Sequence, residues 1–433
     1  MRMGKGWSLS QTFGFVRGNV LVLTVSGSLG MFCRGMVFPY IPLYILSLGG
    51  DPAKVGIVYA LGPLGGLLIF PIAGYLADHM SRPKLIATAG YFSAAVLLIN
   101  VFAPSWEWIA VARLLQGFAV FHFPASSAIL ADSLPPKNRG RGIATMGALM
   151  GALALFAPWV AGSALDVYGV NTGMRILYAI MALAYAVGAT INLRFIRETR
   201  EISGDTVSVN NLSDTLKNSY AGIPSILRGF SPALKALSVI IILCFVANGV
   251  AGPFWIIYAT YHIGLTATQW GLILMVESAL KILVAIPAGF MTDRFGRTRF
   301  IIGALFVSTI IPLYLFAGSF VHVLLIRCVV GVASAFFGPA SAALLADTVP
   351  RSTRGRAMAA IGRGTVMIGS ASGGIGGPGT GFLITLPLMI ATLCGGILYD
   401  WNSASPWIIV LTLTLISLLI AARYLRDPKR AEV

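Results

Sequence analysis

The sequence predicts an all-α membrane protein whose twelve transmembrane helices form two pseudo-symmetric bundles of six. Three observations predict this fold: the composition, the length of the apolar runs, and a repeat within the chain. Of the 433 residues, 57% are hydrophobic and 11% are charged, whereas soluble domains carry roughly 25% charged residues. Most apolar runs have the length that a helix needs to cross a bilayer. The predicted helices, numbered 1 to 12 in chain order, cover Asn19–Leu46, Val55–Ala77, Leu85–Phe102, Trp108–Leu130, Gly142–Leu165, Gly173–Phe195, Ala233–Tyr261, Gln269–Met291, Phe300–Phe316, Val321–Leu345, Gly355–Tyr399 and Pro406–Ala422.

The second six helices repeat motifs of the first six at a constant spacing of 215 residues. We therefore expect a first bundle in residues 1–197, a flexible cytoplasmic linker in the polar stretch 198–232, and a second bundle in residues 233–433. Two such halves in a hydrophobic chain are typical of transporters in which one half moves against the other. Pairs at this spacing are Gly74 and Gly289, Asp78 and Asp293, Asp132 and Asp347, and Arg139 and Arg354.

The net charge of +16 is distributed unevenly along the chain. Of the 31 Lys and Arg residues, we place Lys54 and Arg175 on one side of the membrane, five inside the predicted helices, and the remaining 24 on the other side. This is the positive-inside pattern, and it predicts a multi-pass protein of the cell membrane with both termini cytoplasmic. The pattern makes the lipid bilayer the expected surroundings and argues against a nucleic-acid partner.

The sequence offers no chemistry of an enzyme. We find no nucleophile–base set, no phosphate-binding loop with its lysine, and no cluster of metal ligands. The four cysteines fall within predicted helices and form no CxxC motif, so they predict neither a disulfide framework nor a metal site. We therefore expect no enzymatic activity, no cofactor and no metal, and we expect a monomer.

The repeated loop between helices 2 and 3, and again between helices 8 and 9, carries the strongest motif. The second copy reads Gly289, Asp293, Arg294, Gly296 and Arg297, which resembles the G-x-x-x-D-R-x-G-R loop of the major facilitator superfamily. The first copy departs from that motif, with His79 where the family has Arg and Ser81 where it has Gly. Ion pairs between Asp and Arg at such a site can form and break as the halves move. The alternative is that these charged side chains only extend from the helix ends to the membrane surface. The predicted gating residues are Gly74, Asp78, Arg82, Asp132, Arg141, Gly289, Asp293, Arg294, Arg297, Asp347 and Arg356.

Charged residues inside helices 4 and 8 are the candidates for coupling to protons. Helix 4 contains Arg113 followed by Gln116 and Gly117, which resembles the R-x-x-Q-G motif of drug–proton antiporters; the resemblance implies a coupling role for Arg113, and the alternative is an Arg bonded to carbonyls of helix 1. Helix 8 carries Glu277 and Lys281. A buried carboxylate is a candidate proton carrier, whereas the same spacing also permits a self-neutralised ion pair that only fixes the helix.

Arg34 on helix 1 is the first candidate for a substrate contact. It lies near the middle of the membrane, with no acidic residue on the same helix, and precedes the Pro39 and Pro42 pair, which resembles an efflux motif. In the family, helices 1, 4, 7 and 10 line the cavity, so the resemblance places Arg34 there; the alternative is an Arg bonded to the backbone. The further candidates for substrate binding are His122, Asn248, Trp255, Tyr258 and Phe337.

The repeat fails once, in helix 11. About 19 extra residues fall between Arg356 and Asp400, and they include the glycine-rich run 369–381, which cannot hold a regular helix. We expect helix 11 to be either broken or preceded by a separate short helix that carries Arg363. Irregular backbone at this depth is tolerated where it lines a cavity.

Three functions remain open from the sequence. The first is a secondary transporter that exports drugs or hydrophobic metabolites by alternating access with protons as the coupling ion; the motif on helix 4 favours it. The second is a carrier of organic anions, favoured by five cations within the helices against one acid, Glu277. The third is a non-transporting membrane receptor of the same fold.

Overall fold

The computed structural model describes residues 17–135, 139–199, 230–349, 366–369 and 381–427. These ranges contain helices and no strand, and twelve of the helices are long and apolar enough to cross a membrane. We number them α1 Asn19–Ser47, α2 Pro52–His79, α3 Arg82–Phe102, α4 Trp106–Ser133, α5 Gly142–Tyr168, α6 Val170–Phe195, α7 Pro232–Ile263, α8 Ala267–Phe295, α9 Arg297–Phe316, α10 Phe320–Thr348, α11 Phe382–Trp401 and α12 Ser405–Tyr424.

Prolines locally tighten several of these helices. In α1 a 3₁₀ turn, Phe38–Tyr40, separates two α-helical segments, and in α4 a similar turn, Ala119–His122, precedes Pro124. Proline lacks the backbone N–H and removes one rung of the helical hydrogen-bond ladder. The turns in α1 and α4 fall beside Arg34 and His122, which are candidate binding residues.

The two halves repeat the same helix pairings. In the first half α3 packs on α6, α2 on α4, and α1 on both α5 and α6; in the second half the equivalent pairs are α9 with α12, α8 with α10, and α7 with both α11 and α12. The proposed linker falls almost wholly outside the described residues, so the boundaries at 197 and 233 stay predictions.

The main contacts between the described halves are made by α2 with α11 and by α5 with α8, and α1 also touches α7. We use "motif end" for the end of the molecule at which α2 and α8 finish, and "opposite end" for the end at which they begin. Glycines allow these helices to touch at the opposite end: a Cβ on Gly56 would lie 2.5 Å from the carbonyl oxygen of Thr392, and one on Gly396 would lie 2.7 Å from that of Pro52. Small residues of this kind let two helix backbones come together in a membrane.

The α5–α8 contact is built in the same way. A Cβ on Gly162 would overlap the carbonyl of Ala267, and the Asp166 carboxylate accepts the N–H groups of Ala267 at 3.0 Å and Thr268 at 2.8 Å. The hydroxyl of Tyr40 on α1 also donates to the carbonyl oxygen of Ala267, at 3.1 Å. At the motif end, by contrast, the described residues leave open space around four glycines of α2, α5 and α8. These are Gly74, Gly147, Gly151 and Gly289. The described contacts between the halves thus lie at the opposite end.

The irregular stretch before α11 is described only in part. Residues 366–369 lie outside any helix, and Gly369 has a φ of 90°, a left-handed conformation that favours glycine. The helix itself begins at Phe382. The glycine-rich residues 370–380 and the predicted short helix with Arg363 lie outside the described residues.

We predict that Gly162→Val separates α5 from α8 at the opposite end. The added side chain has no room against Ala267, so the closed arrangement should become less populated. Gly147→Val on the same helix is the matched control, since a Cβ there meets no described atom within 4 Å. Spin labels on Tyr168→Cys and Tyr261→Cys, both exposed, should report a longer distance in Gly162→Val alone. An unchanged distance in that variant would show that the glycine contact does not hold this end closed.

Candidate functional site

A buried ion pair joins α8 to α10 in the second half. Two nitrogens of the Arg327 guanidinium, Nη2 and Nε, donate to Oε2 of Glu277 at 2.5 and 3.0 Å. The side chain of Arg327 is fully buried and Glu277 is 8% exposed. A charge at this depth is tolerated when an opposite charge and hydrogen bonds satisfy it, and this pair supplies both.

The same arginine also holds the irregular segment before α11. Its Nη1 donates to the carbonyl oxygen of Gly369 at 2.5 Å, and its guanidinium carbon lies 4.7 Å from the ring centre of Trp255 on α7. Asn248, also on α7, accepts the N–H of Gly369 and donates to the carbonyl of Met367, each at 2.9 Å. Arg327 therefore connects α7, α8, α10 and residues 366–369 at one point.

This arrangement corrects the pairing expected for Glu277. The sequence suggested Lys281 as its partner, four residues along the same helix, but the carboxylate contacts Arg327 and Lys281 is exposed. A planar guanidinium can place two donors on one carboxylate, whereas the ammonium of Lys281 lies on a face of α8 that points away from the packed interior. The signal that the sequence offered was a weak repeat of the α4 motif, since Arg327 and Gly331 follow Arg113 and Gly117 by 214 residues.

The first half contains two arginines around one aromatic ring. The guanidinium carbons of Arg34 on α1 and Arg113 on α4 lie 4.8 and 5.4 Å from the ring centre of Phe38. Arg113 also lies 5.3 Å from the ring of Tyr59 on α2. Cation–π contacts of this kind partly compensate for lost hydration. Among the described residues, no carboxylate lies within ion-pair distance of either arginine.

Two polar groups of this cluster are left without partners. The Nε of Arg113 and the hydroxyl of Tyr59 are buried, and the described residues offer neither a hydrogen bond. His122 lies in the 3₁₀ turn of α4, where its Nδ1 is 2.7 Å from the carbonyl oxygen of Ala119, and Arg34 is close enough to act on it electrostatically. The expected bonds from Arg113 to carbonyls of helix 1 do not occur among the described residues.

The aromatic candidates of the second half are packing residues in this conformation. Trp255, Tyr258 and Phe337 are buried, and the rings of Trp255 and Trp407 meet edge to face at 4.4 Å between centres. The hydroxyl of Tyr258 donates to the carbonyl of Leu315 at 3.1 Å. Asn248 is occupied by the segment that ends at Gly369. Of these residues, Trp255 alone contacts a charged candidate, Arg327.

The predicted gating residues form one ion-pair cluster in each half at the motif end. In the first half Arg82 Nη1 lies 2.8 Å from Asp132 Oδ2, and Thr199 donates to the same oxygen at 2.9 Å. In the second half Arg297 contacts Asp347 through Nη1, while its Nη2 lies 3.8 Å from Asp293. Both clusters join the start of one helix, α3 or α9, to the end of the helix that follows it, α4 or α10.

Two acidic residues of these clusters were missed by sequence reasoning. Glu198 accepts the backbone N–H of Arg82 at 2.9 Å, and Asp427 accepts those of Arg297 and Thr298 at 3.1 and 3.0 Å. Each stabilises the positive N-terminal end of a helix. The available signal was the Arg–acid dipeptide that follows the last helix of each half, 197–198 and 426–427.

The remaining described gating candidates lie on α2 and α8 at the motif end. Asp78 is exposed, the side chain of Asp293 is 72% exposed, and Arg294 lies 5.4 Å from the ring centre of Phe295. Gly74 and Gly289 face open space, as noted above. The side chain of Arg141 and all of Arg356 lie outside the described residues, so their predicted roles stay predictions.

Comparisons with known proteins agree with this geometry. The chain is 24% identical over 330 residues to the multi-drug resistance efflux pump PmrA homolog of Lactococcus lactis, covering 73% of this chain and 76% of that protein. It is 25% identical over 399 residues to the multidrug resistance protein MdtG of Salmonella arizonae, covering 87% and 93%.

Solved structures share the fold. A bacterial homolog of the human lysosomal transporter Spinster, in an inward-facing and unoccupied conformation, gives a TM-score of 0.67 at 14% identity and covers 97% of this chain and 98% of that chain. The nucleoside transporter NupG gives 0.61 at 15% identity, covering 93% and 97%.

The model of the Major Facilitator Superfamily matches residues 23–235 and 237–433. That match covers nearly the whole chain, and the described residues contain twelve helices long and apolar enough to cross a membrane. The chain therefore belongs to the Major Facilitator Superfamily and is a transporter, not an enzyme.

Proposed function

We propose that this transporter exports drugs or other small hydrophobic organic molecules by alternating access, in exchange for protons. The observation that carries the proposal is the ion pair of Glu277 and Arg327. It is an ion pair buried within the membrane span, and a proton on Glu277 would remove the charge that holds Arg327 to α8. The relatives named as multi-drug resistance efflux pumps, in Lactococcus lactis and Streptococcus pneumoniae, support export as the direction.

The contacts between the halves support alternating access. The described halves are joined at the opposite end through close glycine contacts. If the basic loops face the cytoplasm, as the positive-inside rule predicts, this arrangement is closed on the side away from the cytoplasm. Rocking of residues 1–197 against residues 233–433 would close the motif end and open the opposite one.

Transport of organic anions is the second candidate. Arg34 and Arg113 surround Phe38 without a carboxylate at ion-pair distance among the described residues. A cation at this depth needs an anionic or carbonyl partner, and a transported anion is one source of it.

We predict that Glu277→Gln abolishes pH-driven export and lowers stability. The change leaves Arg327 buried without a counter-ion, which costs about 3–5 kcal/mol of the free energy of unfolding. The double variant Glu277→Gln with Arg327→Met should regain stability, because neither charge remains, but should not regain pH-driven export. Thermal unfolding and ethidium export from proteoliposomes, with and without a pH gradient, measure the two effects.

Lys281→Met is the matched control for this experiment. Lys281 lies on the same helix as Glu277 but is exposed, so both stability and pH-driven export should be close to those of the parent. Full pH-driven export by the stable double variant would show that Glu277 is structural and that protons, if they couple, use another group.

We predict that Asp293→Asn and Asp347→Asn differ in their effects. Asp293 is largely exposed in this conformation, so its neutralisation should slow transport while changing the unfolding temperature little. Asp347 holds the half-buried guanidinium of Arg297, so its neutralisation should also lower stability, by about 1–3 kcal/mol. Transport rates and thermal unfolding of both variants test the difference. Unimpaired transport by Asp293→Asn would remove the gating role from that residue.

We predict that Arg34→Ala reduces uptake of an aromatic carboxylate at least tenfold but leaves ethidium export nearly unchanged. The guanidinium is one of two cations that face Phe38, and only an anion depends on it. Arg34→Lys keeps the charge without the planar fork of donors and should restore uptake in part. Equal carboxylate uptake by Arg34→Ala and the parent would leave the anion hypothesis without its main support.

A further inference from the structure

The duplication identifies a carboxylate that the first half lacks. Arg113 on α4 and Arg327 on α10 are equivalent in the repeat, with a shift of one residue, and the residue equivalent to Glu277 on α8 is Gly62 on α2. Both arginines sit in the same helix pairing, α2 with α4 and α8 with α10. Arg327 is neutralised by Glu277, whereas Arg113 faces Gly62.

The structure shows that Gly62 faces Arg113 directly. A Cβ at Gly62 would lie 3.7 Å from Nη2 and 3.8 Å from Cζ of Arg113, which is ordinary van der Waals contact. In the second half, the Glu277 side chain lies so close to Gly331 that a Cβ there would be 2.8 Å from Cγ of Glu277. The equivalent of Gly331 is Gly117, which contacts Gly62. The first half therefore keeps the glycine next to the site while lacking the acid.

The surroundings of this position favour an anion with an apolar body. The Nε of Arg113 and the hydroxyl of Tyr59 are buried donors without partners among the described residues. A second guanidinium, that of Arg34, lies on the same Phe38 ring. The rings of Phe38 and Tyr59 provide the aromatic faces on which a flat organic group can pack. Positive charge, unused donors and aromatic surface thus converge on one place between α1, α2 and α4.

We propose that the transported molecule supplies the missing carboxylate: an aromatic organic anion binds with its acidic group at Arg113 beside Gly62 and its apolar part against Phe38 and Tyr59. The inference rests on the transport function proposed above and names the class of cargo. The ion pair of Glu277 and Arg327 in the other half remains available for the proton. The second half also indicates how to test the site, because Glu277 is the side chain that lies there at the position equivalent to Gly62.

The test compares Gly62→Glu with Gly62→Gln in the purified full-length protein. The probes are 2-naphthoate and its neutral analogue 2-naphthamide, with binding measured by thermal shift and by titration of protein fluorescence. The parent and Gly62→Gln should bind naphthoate at least tenfold more tightly than naphthamide. Gly62→Glu places a tethered carboxylate at Arg113, so it should unfold at a higher temperature and lose the preference for naphthoate.

Three results would contradict the proposed site, and a second variant covers the case in which Gly62→Glu does not fold. Equal binding of naphthoate and naphthamide to the parent, no binding of naphthoate, or an unchanged preference in Gly62→Glu would each overturn the proposal. If Gly62→Glu does not fold, Arg113→Gln takes its place, and a retained preference for naphthoate in that variant is equally decisive. Because binding is measured without a gradient, failure here leaves proton-driven ethidium export standing, and failure of that export leaves this site standing.

Discussion

The salt bridge between Glu277 and Arg327 is the interaction on which the second half depends. A fully buried guanidinium must be neutralised inside the protein, because the membrane interior offers no water to do it. Its donors are distributed between the Glu277 carboxylate and the carbonyl of Gly369, and Asn248 completes the bonds of the same segment. A single proton on Glu277 would therefore change how four separate elements are held together.

The first half meets the same constraint differently. Arg113 is surrounded by the rings of Phe38 and Tyr59 rather than by an acid, and a second cation, Arg34, lies nearby. At an effective dielectric constant of about 20, two like charges at such separations repel by roughly 1–2 kcal/mol. Cation–π contacts offset part of that cost, and the proposed anion would offset the rest. Within the described residues, the two halves thus share a scaffold but differ in charge balance, since Arg327 is neutralised by Glu277 and Arg113 has no carboxylate at ion-pair distance.

Much of this organisation could be predicted from the sequence. The length of the apolar runs predicted the twelve helices, and the regular spacing of Gly74, Asp132 and their repeats predicted the paired clusters at the motif end. The predicted partner of Glu277 was wrong. Spacing along one helix favours Lys281, whereas only the packing of α8 on α10 brings Arg327 to the carboxylate. The burial of Trp255, Tyr258 and Phe337 could not be predicted either, because an aromatic residue on a cavity helix can face either the cavity or the core. Such outcomes depend on helix rotation, which a single sequence does not encode in its spacing.

The repeat links the charged sites to the contacts between halves. Gly271, which contacts Pro158 on α5, lies six residues before Glu277 on α8; Gly56, which contacts α11, lies six residues before Gly62 on α2. Six residues of helix span about 9 Å, so in each half the same stretch of helix carries both the contact that joins the halves and the position that faces an arginine. A helix is stiff over this distance, and a change at Arg327 or Arg113 therefore acts on the contact through α8 or α2 without a longer path. The proposed proton site and the proposed anion site are placed equivalently with respect to the two contacts, so a change at either would act on the closure of the opposite end over the same distance.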